Sequence, residues 1–137
     1  MEIKDPEILL LERYCTKAKK NGKITGTQLA DLHDKFGSRF IKAWECVKDR
    51  RIKRYCFEPS GRIVWIVVGR KREYLIMPKA GFCSCDDFYY RDIDGEIHLC
   101  YHLIAQKISE SLGLYDKIKE GDYFYDILIR ELRKVTL

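Results

Sequence analysis

Amide side chains are nearly missing from this chain, with Asn21, Gln28 and Gln106 the only three among 137 residues. Lys, Arg, Glu and Asp, by contrast, make up 34% of it. Few thermolabile amides beside many charges match the thermophile pattern. No apolar run approaches the ~18–20 residues needed to span a bilayer. The N-terminus, MEIKDPEILLLERY, sets Glu and Asp among its apolar residues and lacks the basic start and cleavage site of a signal peptide. An intracellular, cytoplasmic protein is therefore expected. Internal repeats, low-complexity tracts and long linkers are missing as well. The length then fits one compact domain, or two small units sharing a core, and 46% hydrophobic residues suit a globular protein.

Catalytic signatures are scarce too. The zinc deaminases that act on nucleic acids need H-x-E together with P-C-x-x-C, and neither H-x-E nor C-x-x-C occurs in this chain. There is no Ser/His/Asp pattern and no phosphate-binding glycine loop. The expectation is a protein that is not an enzyme.

What the chain has in excess is positive charge, in one place. The formal net charge is +5. Residues 1–34 are neutral, residues 80–137 carry a net −4, and residues 35–79 hold thirteen basic and four acidic side chains, a net +9. Such a segment attracts phosphate backbones at ordinary salt, although a solvated lysine-rich face has the same composition.

Helical punctuation dominates the first third. Asp5 can cap a first helix, Pro6 suits its first turn and Asn21-Gly22 supplies its stop. Between them Ile8, Leu11, Tyr14, Cys15 and Ala18 recur at helical spacing. Thr25 and Gln28 have capping-box spacing for a second helix, which buries Leu29, Leu32 and Phe36 and ends at Gly37. Ser38 caps a third, with Phe40, Ile41, Trp44 and Val47 pointing inward. After Arg51 the period changes. RIKRYCFE and RIVWIVVG flank Pro59-Ser60-Gly61 and read as a β-hairpin, and EYLIMP adds a strand. Three helices followed by a hairpin is the order of a winged helix-turn-helix, whose third helix enters the major groove. On that plan Arg39, Lys42, Arg51, Lys53, Arg54, Arg70, Lys71 and Arg72 are the candidate nucleic-acid contacts. Both tryptophans, Trp44 and Trp65, are expected in the core.

Four residues of the second half carry the chemistry. Cys83, Cys85, Cys100 and His102 form C-x-C-x14-C-x-H. Two close pairs of soft ligands can close a tetrahedron around one Zn²⁺. Four protein ligands leave no position for water, so the pattern suits a structural metal in a binding module. His98 competes for the fourth place because it too lies one residue from Cys100. His102 is preferred, since it enters from the helix that follows and closes the site from the opposite element. Asp86 and Asp87 read as solvent-side charges, and a turn at Asp94-Gly95 leads back to Cys100. Tyr101 to Leu112 reads as a helix stopped by Gly113, with Leu103, Ile104, Ile108 and Leu112 inward. Tyr123 to Lys134 reads as a last helix burying Phe124, Ile127, Leu128 and Leu132. In a reducing compartment cysteines read better as ligands and small core residues than as a disulfide framework. For a thermophile, a disulfide between two of Cys15, Cys46 and Cys56 stays open.

The run FCSCDDF at 82–88, followed by LCYHLIA at 99–105, resembles the SWIM zinc finger, whose pattern is C-x-C, a variable loop, and C-x-H with an apolar, alanine-containing helix behind it. By position, the resemblance implies Cys83, Cys85, Cys100 and His102 as ligands. Leu99, Leu103, Ile104 and Ala105 would then pack the finger's helix on its hairpin. With the phrase YLIMPKAGFCSC, the chain is most similar to the small SWIM-domain recombination proteins of the Shu complex. That likeness, over about residues 62–112, implies a RecA-family recombinase paralogue as partner and a role in homologous recombination.

The expected fold is α+β: a helical winged-helix-like unit with its wing over 1–61, the zinc finger over 62–115, and a C-terminal helix over 116–137 packing on the shared core. The expected function is a non-catalytic adaptor with one structural Zn²⁺ that contacts DNA, a recombinase paralogue, or both. A winged-helix transcription regulator stabilised by a zinc finger is the alternative. A regulator would prefer a short duplex site, whereas an accessory factor would prefer single strands or junctions, or need its partner.

Overall fold

The structure, a computed structural model, describes residues 6–85 and 99–133. It opens with three helices, α1 (Pro6–Asn21), α2 (Gly26–Phe36) and α3 (Ser38–Lys48). The capping box of α2 is complete: the Gln28 amide donates to Thr25 Oγ1 at 3.2 Å, and the Thr25 amide donates to Gln28 Oε1 at 3.0 Å. Gly37, at φ +61, makes the break between α2 and α3 that a residue with a Cβ would strain to adopt. Leu11, Ala18, Leu32, Phe36, Phe40, Ala43, Cys46 and Val47 form the buried stripe of these helices.

Five strands follow: β1 (Ile52–Glu58), β2 (Ile63–Val68), β3 (Glu73–Met77), β4 (Phe82–Cys83) and β5 (Asp116–Gly121). Helix α4 (Tyr101–Leu112) precedes β5, and α5 (Tyr123–Arg133) follows it. The first four strands form an antiparallel meander, and β5 joins β1 in parallel, giving the order β4-β3-β2-β1-β5. Strand alternation then divides the core. Ile52, Trp65, Val67, Ile76 and Cys83 face a helical layer that includes Leu103, Ile104 and Ile108 of α4. Phe57, Val64, Ile66 and Leu75 face Leu128 and Leu132 of α5. Among the described residues the architecture is α+β in three layers, with four α-helices on one side of the sheet and one on the other.

Several expectations change. The β1–β2 hairpin is no wing: β3 and β5 pair with its two outer sides, so it is the centre of the sheet and not a free ribbon beside α3. Residues 1–61, 62–115 and 116–137 each contribute to that sheet, through β1, through β2 to β4, and through β5. Nothing in DKIKEG signals a strand, because Ile118 is its only large apolar residue and β5 is held by backbone pairing to β1. Ile41 and Ile127, expected inward, are 48% and 49% exposed. In α3 the inward places go to Ala43 and Cys46 instead. Trp65 is 6% exposed and in the core, but Trp44 is only half-buried, stacked on Phe40 with ring centroids 6.1 Å apart. Cys15, Cys46 and Cys56 are free thiols. No described helix is long and apolar enough to cross a membrane. The expected cap at Asp5 and the turn at Asp94-Gly95 lie outside the described residues.

Trp65 joins the sheet to the helical layer and meets Tyr115 edge-on, with centroids 4.9 Å apart. Trp65→Ala should therefore cost about 3–5 kcal/mol, read from urea unfolding. In single-tryptophan variants, acrylamide should quench Trp44 well before Trp65. Equal quenching of the two would contradict this placement.

Candidate metal centre

The C-x-C pair is built by a short hook at the edge of the sheet. After β3, a turn of 3₁₀ helix (Pro78–Ala80) and Gly81 at φ +64 reverse the chain, and β4 pairs back on β3, Cys83 opposite Ile76. Ser84 extends that pairing: its amide donates to the Leu75 carbonyl at 3.0 Å, and its Oγ accepts from the Leu75 amide at 3.0 Å. Alternation along this extended stretch turns Cys83 and Cys85 to one side and Ser84 to the other. The second pair comes from the start of α4. Cys100 is the N-cap residue in an extended conformation (φ −71, ψ 162), and His102 is the second residue of the helix, in its first turn.

These four side chains converge. Their ligand atoms all lie within 4.8 Å of one another, and all four residues are buried. Cys83 Sγ is 3.8 Å from His102 Nδ1. A tetrahedron with metal–sulfur bonds of about 2.3 Å and metal–nitrogen bonds of about 2.0 Å has S···N edges of about 3.5 Å, so the cluster is already near the size of a coordination shell. Nε2 of His102 is buried with no hydrogen-bond partner among the described residues. Among the described residues the imidazole thus has no acceptor on that side. Its ring is flanked by Tyr74, at 4.1 Å between centroids, and Tyr101, at 3.9 Å. Sequence reasoning did not pick out Ser84, Tyr74 or Tyr101 as supports. Only their adjacency to the ligands, or to the strand paired with them, could have signalled it.

Left to themselves, these thiols hold one another protonated. Hydrogen bonding with Cys100, then with Cys85, and then burial push the Cys83 thiol far above its ordinary value. Cys100 is pushed up to about 12: its bond with Cys83 pulls it down, but the contact with Cys85 and burial outweigh that. Three thiolates cannot share so small a buried volume without a cation, whereas a dication makes them the favoured form. The cluster could hold one metal ion, and three sulfurs with one imidazole suit a soft or borderline ion in four-coordinate geometry.

The candidate basic residues scatter. Arg39 is committed: its guanidinium makes a two-pronged ion pair with Glu7, at 2.8 and 3.2 Å, and donates to the Leu99 carbonyl at 2.8 Å. It ties α1 and α3 to the residue before Cys100. Lys53 and Arg54 point to opposite faces of β1, with Lys53 3.5 Å from Glu73 and Arg54 over the Trp65 ring. Arg72 lies over Tyr74, and Lys71 is exposed. Lys42, Arg51 and Arg70 come together around one small cavity. His98, Asp86 and Asp87 lie outside the described residues.

A four-residue Cys/His cluster fastened to a sheet edge and a helix start has the donor set of a metal finger. The chain is 34% identical over 96 residues to an uncharacterized protein of Archaeoglobus fulgidus, covering 70% of this chain and 75% of the relative. This chain belongs to the same family as that protein. It is also 24% identical over 119 residues to the zinc finger SWIM domain-containing protein 7 homolog of Dictyostelium discoideum, covering 85% of this chain and 76% of that one. No protein-family model matches the chain. A distant homologue thus carries the SWIM name, and this chain has the cluster to go with it.

One metal ion should bind per chain, and cobalt(II) should give the absorption of a tetrahedral thiolate complex that a Cys85→Ser, Cys100→Ser double variant lacks. Because Cys83 and Cys100 are protonated near neutrality without metal, loading should release at least two protons, and affinity should fall as pH is lowered. A pH-indicator titration that detects no proton release would rule out thiolate ligation. Arg39→Ala should lower stability by about 1.5–3 kcal/mol through its lost charged hydrogen bonds. It should also speed metal loss to a chelator, because Leu99 is then untethered; unchanged metal retention would show that Arg39 does not position Cys100.

Proposed function

We propose that this chain is a non-catalytic SWIM-type adaptor with one structural Zn²⁺, which contacts DNA, a RecA-family recombinase paralogue, or both, in homologous recombination or DNA repair. The observation that carries the reading is the convergence of four buried side chains, whose ligand atoms lie within 4.8 Å of one another; around one ion they would fill a tetrahedral shell, with no position left for a substrate or an activated water. A centre of that kind stabilises a surface, and the function then lies in what the surface meets. The net +9 of residues 35–79 supports a polyanionic partner. The likeness to the SWIM domain-containing relative of Dictyostelium supports the SWIM type, and the resemblance of the finger's flanking residues to the small recombination-accessory proteins supports the recombinase partner.

The test uses the metal-loaded full chain. Tagged protein purified from its native source should bring down a RecA-family protein. Fluorescence anisotropy should show binding to single-stranded or junction DNA that weakens with salt, by roughly 0.9 in log affinity per log salt for each neutralised phosphate on duplex DNA and about 0.7 on single strands. Preference for one short duplex sequence would favour the regulator. Recovery of neither a recombinase nor nucleic acid, with no DNA bound at low salt, would sink the adaptor reading.

A further inference from the structure

Lys42 of α3, Arg51 at the start of β1 and Arg70 in the β2–β3 turn are far apart in sequence, yet they line one cavity of about 170 Å³ with Glu45, Cys46 and Tyr101. Pockets that take drug-sized molecules run to about 300–1,000 Å³, so this one suits a small group. The lining bears three cations and one carboxylate, a net +2, and Asp49 stands 3.6 Å from Arg51. That pair is exposed and of little strength, so Arg51 can exchange it for a better partner. Its guanidinium and that of Arg70 also act on the Cys46 thiol in the wall, favouring its ionised form against the larger effect of burial. The wall on the other side is Tyr101, between the ligands Cys100 and His102, with Lys42 Nζ 5.7 Å from its ring centroid. Three different elements thus aim cations at one recess, unlike the rest of the basic segment, where Arg39 and Lys53 are already paired.

We infer that this cavity is a phosphate-binding site that takes a single phosphate of a nucleic-acid strand. Two guanidinium forks and one ammonium match the oxygens of a tetrahedral oxyanion. The small volume excludes a base or a peptide side chain with its backbone. The site accounts for sequence-independent, salt-sensitive contact, because a phosphate carries no base identity. It rests on the nucleic-acid half of the adaptor reading, and it assigns that contact to three residues.

Two probes separate the inference from the reading it rests on. Inorganic phosphate titrated into ¹⁵N-labelled, metal-loaded protein should shift the amide signals of Cys46, Arg51, Arg70 and Tyr101. Single-stranded oligonucleotides, with and without a terminal phosphate, are then bound to wild type and variants. Lys42→Gln with Arg70→Gln should lower affinity at least tenfold and reduce the salt slope by at most about one (about 0.7 on single strands), because the cavity neutralises one phosphate. Glu45→Gln should raise affinity, which mere damage to the fold would not do. Lys19→Gln with Lys20→Gln, on α1, should change it less than twofold. A gain in affinity from the terminal phosphate marks a strand-end site, and indifference to it marks an internal phosphodiester; either supports the cavity. DNA binding that ignores the Lys42, Arg70 and Glu45 changes overturns the inference and leaves the DNA reading standing. Shifts with inorganic phosphate but no oligonucleotide binding overturn the nucleic-acid assignment and leave an oxyanion site. No shift and no binding overturn both.

Discussion

Three thiols and an imidazole, buried within 4.8 Å of one another, form a cluster that packing alone does not stabilise. Hydrogen bonds with Cys100 and Cys85 hold the Cys83 proton in place, Cys85 and burial outweigh the opposite pull of Cys83 on Cys100, and the imidazole has a nitrogen without an acceptor among the described residues. A dication removes the hold on those protons, because it makes the thiolates the favoured form. Structural zinc in small fingers is worth on the order of 10 kcal/mol of apparent folding free energy, against a total of about 5–15 kcal/mol for an ordinary domain. Much of the local backbone is explained by the need to deliver these four atoms. Gly81 turns the chain at positive φ, Ser84 fixes two backbone positions on Leu75, and Arg39 holds the carbonyl of Leu99.

Helix α4 carries the consequences into the rest of the molecule. His102, Leu103, Ile104, Ala105, Gln106, Ile108 and Ser109 are all buried, so it is enclosed on most of its circumference. Its first turn supplies a ligand while its length packs against α1, α3 and the sheet. The surface is tied in through aromatic rings. Arg72 lies over Tyr74 at 4.9 Å, Tyr74 and Tyr101 flank His102, and Lys42 reaches over Tyr101 at 5.7 Å. Cations on an aromatic face keep their charge exposed while the ring stays in contact with the core. Two basic side chains of the surface thereby rest on the metal ligand's own packing partners.

How much of this could be read from the sequence depended on whether local or distant residues decide a feature. The capping box at Thr25 and Gln28, the turn at Pro59-Ser60-Gly61 and the C-x-C and C-x-H pairs are local devices, and they form where they stand. The pairing of the hairpin is not local. Three helices and a hairpin fit a winged helix equally well until β5 joins β1, and β5 has one apolar side chain to announce itself. Arg39 looked like a surface cation because Glu7 and Leu99 are remote in sequence, and burial of that pair is a tertiary event. Ile41 and Trp44 show the limit of periodicity: the apolar stripe of α3 is wider than the face its neighbours cover, and the packing of α4 chose Ala43 and Cys46.

The ligand pairs also explain why this finger is part of a domain and not an appendage. In an isolated finger the metal substitutes for a core. Here each pair already belongs to a larger element, Cys83 to the edge of a five-stranded sheet and His102 to the most buried helix. The metal would sit where the sheet edge meets the helical layer and hold the two at a fixed separation. Lys42 stands on the helical side of that boundary, while Arg51 and Arg70 stand on the sheet side, at the start of β1 and in the β2–β3 turn. Their spacing is therefore set by the same contact that the cluster fastens. An ion held in the cluster would in this way control the geometry of a surface that it does not itself reach.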